Sequence, residues 1–351
     1  MSNYDFQIGW HDGSNWPDWG SAPRKPLVDF DMTHRGEWLT SVIGKDPRTG
    51  ENTIYHILKC EICVSIHAWP LPCLEDLATY YQREFFQHEK PDYLDRYDED
   101  RGWWETCVHG PLLDTAATYR LQNNPGGIQR MQVLEVGAGP GIALDVAAQY
   151  GWGTYAVEPS PVCAARLRQR GHTVYEGTLE GYAEAVAGFQ RQFDIVYLYE
   201  VLEHQPNPYD FLDTCRQLTK PGGILVVCVP NDASPIQYDA CQRLGIGEYW
   251  WAPPQHLHYY SPKMLQLVVR WSGWDVLDIR GTFPMELFLL GGRNYVGNPV
   301  VGREIHAIRM KNELESISHG TWNTRIIRYR DEMERHRYGR EIVLLARKPY
   351  E

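Results

Sequence analysis

Residues Gln132 to Gly151 read QVLEVGAGPGIALDVAAQYG: a short apolar run, a loop made almost wholly of Gly, Ala and Pro, then a helix-favouring stretch. In an open α/β sheet, ligands sit beyond the carboxyl ends of the strands, beside the glycine loop after the first one. The helix start that follows such a loop holds either a phosphate or a ligand without one. The dinucleotide fingerprint G-x-G-x-x-G brings a pyrophosphate against that helix. Here Gly137-Ala138-Gly139-Pro140-Gly141 is followed by Ile142, and Glu135 precedes the loop. A carboxylate at that place repels a pyrophosphate and attracts a cationic group. The loop is therefore expected to lie against a ligand that carries positive charge.

Outward from this stretch the chain alternates strands and helices. GTYAVEPS, TVYEGT, FDIVYLYEVL, GILVVCVP, WDVLDIRGTF and REIVLLARK follow as strands, and QVLEVGA with the first four of these carry near-continuous apolar runs. Such runs mark parallel strands buried on both faces. SPVCAARLRQRG, NPYDFLDTCRQL and SPKMLQLVVRWSG lie between them with helical spacing. The fold class is thus α/β, a doubly wound, mostly parallel seven-stranded sheet. An aromatic-rich N-terminal region, residues 1–127, precedes the sheet domain of residues 128–351. The long connection from Pro284 to Gly339 is read as a helical insertion before the last strand, of the kind that forms a lid. Upstream, TIYHILKCEICVSIHAWPLP predicts a strand pair around a turn. LEDLATYYQREFFQHEK predicts a helix with Leu74, Leu77, Tyr81 and Phe85 on one face.

The 351 residues hold 45 acidic against 34 basic side chains, a net charge of −11, which argues against a broad nucleic-acid footprint. No apolar run reaches the roughly 18–20 residues of a membrane span, and the N-terminal stretch lacks the basic and apolar regions of a secretory signal. With Cys215 and Cys228 in core-like patterns, the eight cysteines read as thiols and the protein as cytoplasmic.

Four separate motifs, LEVGAGPG, VEPS, the EVLEH of FDIVYLYEVLEHQPNPYDFL, and the Pro-Gly-Gly turn of LTKPGGILVVCVPND, resemble the class I S-adenosylmethionine-dependent methyltransferases in order and spacing. The segment HLHYYSPKML strengthens the resemblance to a branch acting on small molecules, which covers about Gln132 to Phe283. The resemblance implies S-adenosylmethionine as cofactor and S-adenosylhomocysteine as its product. It implies that Glu135, Gly137, Gly139 and Gly141 frame the methionine part and that Glu158, with Pro159 beside it, holds the ribose. Leu179 and Glu180 would lie along the adenine, and Glu200 would face the reaction centre. Tyr93, with Tyr97, is a candidate contact from the N-terminal side.

His204 is a candidate general base, because it follows the fourth strand at the cofactor end and an imidazole titrates near neutrality. Glu203 beside it would orient it. His256 and His258 alternate, so in extended chain they point to opposite sides, and the resemblance implies that this segment borders the substrate pocket with His256 facing inward. No metal site is expected: Cys60 and Cys63 form one close pair where structural zinc commonly uses two, and they read as two buried thiols on a hairpin. The arginines Arg325, Arg328, Arg330, Arg335, Arg337 and Arg340 read as a solvated face. The function expected is methyl transfer at oxygen, nitrogen or carbon of a small-molecule acceptor, without nucleic-acid or membrane partners. An NAD-dependent oxidoreductase and a non-catalytic cofactor-binding relative are the alternatives.

Overall fold

The computed structural model describes residues 27–29, 34–82, 85, 90–122, 131–187, 192–319 and 338–350. These form twelve strands: β1 (Leu27–Asp29), β2 (Arg35–Lys45), β3 (Asn52–Cys60), β4 (Ser65–Trp69), β5 (Gln132–Val136), β6 (Gly153–Glu158), β7 (Thr173–Glu176), β8 (Phe193–Tyr199), β9 (Thr219–Pro230), β10 (His258–Tyr259), β11 (Asp275–Gly281) and β12 (Glu341–Arg347). Seven of them make one sheet in the spatial order β11-β12-β9-β8-β5-β6-β7. The strands β7, β6, β5, β8 and β9 run parallel, and β12 is antiparallel to both its neighbours. The expected doubly wound, mostly parallel sheet is the fold observed.

Both faces of this sheet are covered, as the apolar runs require. Along β8, Ile195 and Tyr197 enter one core while Val196 and Leu198 enter the other. This is the period-2 alternation of a strand with two buried faces. On the first of these faces lie the helices Gly110–Leu121 and Ile142–Gln149, through Leu112, Leu113, Ala116, Ala143 and Leu144. The helix Gly110–Leu121, assigned to the N-terminal region in sequence, thus packs on the sheet.

The remaining five strands pair in the order β1-β2-β3-β4-β10. The hairpin expected around Cys60 to Cys63 is β3 and β4, in register from His56 opposite Trp69 to Cys60 opposite Ser65. Its outer edge is completed by β10, which lies in the chain between β9 and β11 of the seven-stranded sheet, with His258 opposite His67. Tyr55, Ile57, Ile66 and Ala68 of this sheet share one core with Val136, Leu198 and Val227 of the other. A strand exchanged between the two halves and a common core hold the smaller sheet over one end of the larger.

The connection between β11 and β12 contains the helices Glu286–Leu290 and Pro299–Ser318. The longer one is anchored by Trp103, whose indole N–H donates to Glu313 at 2.9 Å while Arg309 lies over its ring. The arginine-rich stretch and the first 26 residues lie outside the described residues, Arg340 excepted. That residue is paired with the buried Glu286 at 3.2 Å and is itself partly buried, so it belongs to a partly buried ion pair and not to a solvated face.

Candidate active site

Beyond the carboxyl ends of β5, β6 and β8 lies a cavity of about 250 Å³. Its lining includes Glu135, Gly137, Gly139, Glu158, Pro159, Leu179, Glu180, Glu200, His204, His256 and Tyr93. Of the residues the resemblance assigns to the cofactor, Gly141 is the one that does not line it. Gly139 has φ +47°, and a Cβ there would meet nothing nearer than the Gly137 carbonyl at 4.0 Å, so the loop is bare on its open side. Gly141 has φ +75°, and its Cβ would strike Leu167 Cδ2 at 2.2 Å. Its missing side chain admits the next helix and leaves the loop to Gly137 and Gly139.

Among the carboxyl groups of this cavity, Glu135 and Glu158 are buried and Glu200 is partly buried. Glu158 ends β6 and accepts from the Gly139 N–H through Oε2 and from the Ser160 N–H through Oε1, both at 2.8 Å. Burial pushes its pKa up to about 7 despite those two donors, which act in the opposite direction. Glu135 is pushed well above the carboxylate range by burial and by the neighbouring Asp145 and Glu158 charges, against one backbone hydrogen bond from Leu144. Its Oε2 is buried and has no hydrogen-bond partner. Glu200, just past β8, has φ +54°, a conformation that costs a non-glycine residue about 1–2 kcal/mol. Burial and the Glu341 charge raise its pKa to about 7. Three acids with raised pKa in one cavity form a site that gains from a cationic occupant.

The histidines diverge. His204 follows β8 on a short turn, Leu202–His204, and its Nδ1 meets the Gln255 carbonyl and the Tyr81 hydroxyl. Burial, helped by His256, holds its pKa down at about 3, so it stays neutral. Glu203 Oε1 stands 3.7 Å from His204 Nε2, beyond hydrogen-bond range, so the orienting partner is the Gln255 carbonyl and not the neighbouring acid. His256 lines the same cavity with its ring 5.2 Å from that of His204. Its Nδ1 lies 3.3 Å from Oδ2 of Asp232, a buried carboxylate. An N–H on Nδ1 donated to Asp232 leaves Nε2 as the basic position. Asp232 was missed in sequence; the signal was its place two residues past β9, at the carboxyl edge of the sheet. His258 points away from the cavity into β10, where it is buried opposite His67. Glu203, His204 and His256 each offer a ligand atom within 4.8 Å of the others.

An aromatic wall closes the site. Leu74, Leu77, Tyr81 and Phe85, the face expected of one helix, all line the cavity, with Tyr93 and Tyr97 beside them. Tyr97 stacks on Trp104 at 4.6 Å. Trp104 begins a π-helical turn, Trp104–His109, that carries His109 to the lining. Such turns recur at functional sites because the widened backbone redirects side chains.

Residues 112–279 match a family model described as a methyltransferase domain. This matched stretch, which carries the glycine loop, Glu135, Glu158 and Glu200, is thus similar to a methyltransferase domain. Two curated relatives, each named ubiquinone biosynthesis O-methyltransferase, resemble it in sequence. That of Roseobacter denitrificans is 34% identical over 167 residues, which is 45% of this chain and 65% of the relative. That of Shewanella halifaxensis is 36% identical over 139 residues, 37% of this chain and 57% of the relative. The chain therefore spans less than two thirds of the length of these relatives. A solved S-adenosylmethionine-dependent methyltransferase from Archaeoglobus fulgidus aligns with 72% of this chain and 99% of its own, at 15% identity and a TM-score of 0.43. Among the described residues, no helix of the protein is long and apolar enough to cross a membrane.

Proposed function

We propose that this chain transfers a methyl group from S-adenosylmethionine to a hydroxyl of an aromatic small molecule, leaving S-adenosylhomocysteine. The observation that carries the choice of oxygen is the Asp232–His256 pair in the cavity that also contains the glycine loop and Glu135. A neutral amine needs no base, whereas a hydroxyl must lose its proton as it is methylated. The relatives named O-methyltransferases support the same choice.

The residues present fit the cofactor. The orphaned Oε2 of Glu135 needs a positive partner, the bare surface at Gly139 admits close approach, and Glu158 has acceptor capacity left for a diol. Glu135, Gly137, Gly139 and Glu158 would hold it, with Leu179 and Glu180 along its base and Glu200 and Tyr93 beside them. When bound, S-adenosylmethionine supplies a methyl group activated by a sulfonium. His256 takes the acceptor's proton at Nε2 while Asp232 keeps the Nδ1–H in place and stabilises the imidazolium. His204, neutral and fixed through Nδ1, borders the acceptor and positions it. The aromatic wall of Tyr81, Phe85, Tyr93 and Tyr97 excludes water, which would otherwise favour the charged reactant over a transition state whose charge is spreading. The smaller sheet, the helices of residues 74–122 and the insertion between β11 and β12 act as the cover.

The test is transfer of a labelled methyl group to a panel of phenols, catechols and aryl amines, with bulk tRNA as a further acceptor. Label on phenolic oxygen is expected. Cofactor binding with no transfer to any member would favour the non-catalytic reading, and labelling of tRNA would overturn the small-molecule assignment. An NAD-dependent oxidoreductase would require NAD to stabilise the protein against heat, which the carboxylates around the glycine loop oppose.

A further inference from the structure

We propose that His34, Cys60, Cys63 and His67 bind one structural zinc ion at the β3–β4 hairpin, outside the cavity. In sequence these residues look unpromising: one C-x-x-C pair, a histidine four residues on, and another histidine 26 residues before the first cysteine. The fold brings them together. Cys60 ends β3 and Cys63 lies in the turn that follows. His67 sits in β4 on the same face, because Cys60 pairs with Ser65 and the strand returns two residues later. His34 immediately precedes β2, whose first residues pair with the end of β3, Gly36 opposite Cys60.

One ligand atom from each of the four residues lies within 4.8 Å of the others. Cys60 Sγ and Cys63 Sγ are 3.2 Å apart, and Cys63 Sγ is 3.4 Å from His34 Nδ1. Ligands held by a tetrahedral zinc at about 2.0–2.3 Å stand about 3.3–3.8 Å from one another. The cluster thus needs shifts of only a few tenths of an ångström in the contacts given. Neither cysteine is in a disulfide.

Two further observations point to a metal. His67 is fully buried, and its Nδ1 donates to the Ala68 carbonyl at 2.8 Å. That hydrogen bond fixes the tautomer and leaves a lone pair on Nε2, which is buried without a hydrogen-bond partner. An imidazole held at one nitrogen by a carbonyl, with the other bare, is the usual state of a histidine ligand. The backbone N–H of Cys63 also donates to Cys60 Sγ at 3.4 Å, a bond that favours a thiolate. Two thiolates and two neutral imidazoles cancel the charge of a divalent ion, which lets it sit beside residues with no exposure to water. A tetrahedral S₂N₂ set selects zinc among the common divalent ions.

The consequence is structural. The hairpin carries β10 on its β4 edge, and β10 begins two residues after His256. Tyr209 of the methyltransferase domain donates to the Cys63 carbonyl at 2.8 Å. A metal there would clamp the turn that ties the smaller sheet to the catalytic half.

The experiment uses the purified, reduced full-length chain, metal analysis and titration with Co²⁺. Near one zinc per chain is expected, and the Co²⁺ form should show the visible bands of a tetrahedral site with thiolate charge transfer. Cys63→Ser and His34→Ala should each weaken zinc binding at least tenfold. His34→Cys should keep the metal and raise the charge-transfer intensity by about half, as a third thiolate joins two. His56→Ala and Cys73→Ser, which alter residues of the same region outside the cluster, should leave it intact. Less than about a tenth of a zinc per chain with no cobalt bands would overturn the proposal. A Cys60–Cys63 disulfide in metal-free folded protein, or full zinc in His34→Ala and Cys63→Ser, would overturn it equally.

Discussion

Replacing Glu158 by glutamine keeps the side chain's shape and removes its charge, so it isolates the proposed ribose contact. The carboxylate now accepts two backbone N–H groups, from Gly139 and Ser160, at 2.8 Å each. An amide has one oxygen, so one donor loses its partner and the ligand-free fold loses about 1–3 kcal/mol. Two charge-assisted bonds to a diol are worth about 1.5–3 kcal/mol each, and glutamine offers at best one neutral replacement. A loss of about 2–4 kcal/mol in binding corresponds to roughly 30- to 700-fold in Kd. The pH dependence provides an independent check. Burial raises Glu158 to about 7, so the ligand-free protein keeps this group's stabilisation at low pH and loses it as pH rises through about 7. Hydroxyl donors favour the ionised form, so binding lowers the pKa and releases a proton. Affinity should therefore rise with pH by up to tenfold per unit below about 7 and level off above it, and the glutamine variant should lack this contribution. Calorimetric titration with S-adenosylhomocysteine at about pH 6, 7 and 8, with melting curves for both proteins, measures all of this. A variant that binds within twofold of the parent near pH 8 would refute the reasoning.

Glu135→Gln should stabilise the ligand-free protein and weaken binding of S-adenosylmethionine. A folded-state pKa raised by burial means stability that is lost as pH rises, so the gain in Tm should widen as pH rises above the ordinary carboxylate range; a gain that shrinks as pH rises there would count against a buried, uncompensated carboxyl. His256→Ala should slow methyl transfer about 10²–10⁴-fold with cofactor affinity unchanged, the usual contribution of a general base. Asp232→Asn, assayed by its rate-against-pH profile, should also slow transfer and alter the profile, and retention of the parental rate and profile would remove the pair from the mechanism. Gly139→Ala must adopt φ +47° at a cost of about 1–2 kcal/mol and places its methyl group towards the cavity. It should bind cofactor at least about tenfold more weakly. Gly141→Ala, which strikes Leu167, should instead lower Tm more than it lowers affinity, and melting curves beside titrations separate the two effects.

The sequence by itself determined the sheet, because a strand buried on both faces must be apolar at nearly every position. That is why QVLEV, FDIVYLY and GILVVCVP could be read as parallel strands without a partner in view. It also placed Glu135, Gly139 and Glu158 at one edge, because a glycine loop after the first strand and an acid at the tip of the second follow from connectivity alone. The tertiary structure decided what depends on residues distant along the chain. His256 became the better candidate base because Asp232, 24 residues earlier, lies beside it, and His204 turned from Glu203 to the Gln255 carbonyl. Gly141 left the cavity because Leu167 of the next helix occupies the space its side chain would fill. The ligand count at Cys60 and Cys63 fell short in sequence because His34 reaches them only through the pairing of β2 with β3, and His67 through the return of β4. Local pattern records which face of an element is buried. Only packing records which side chains meet there.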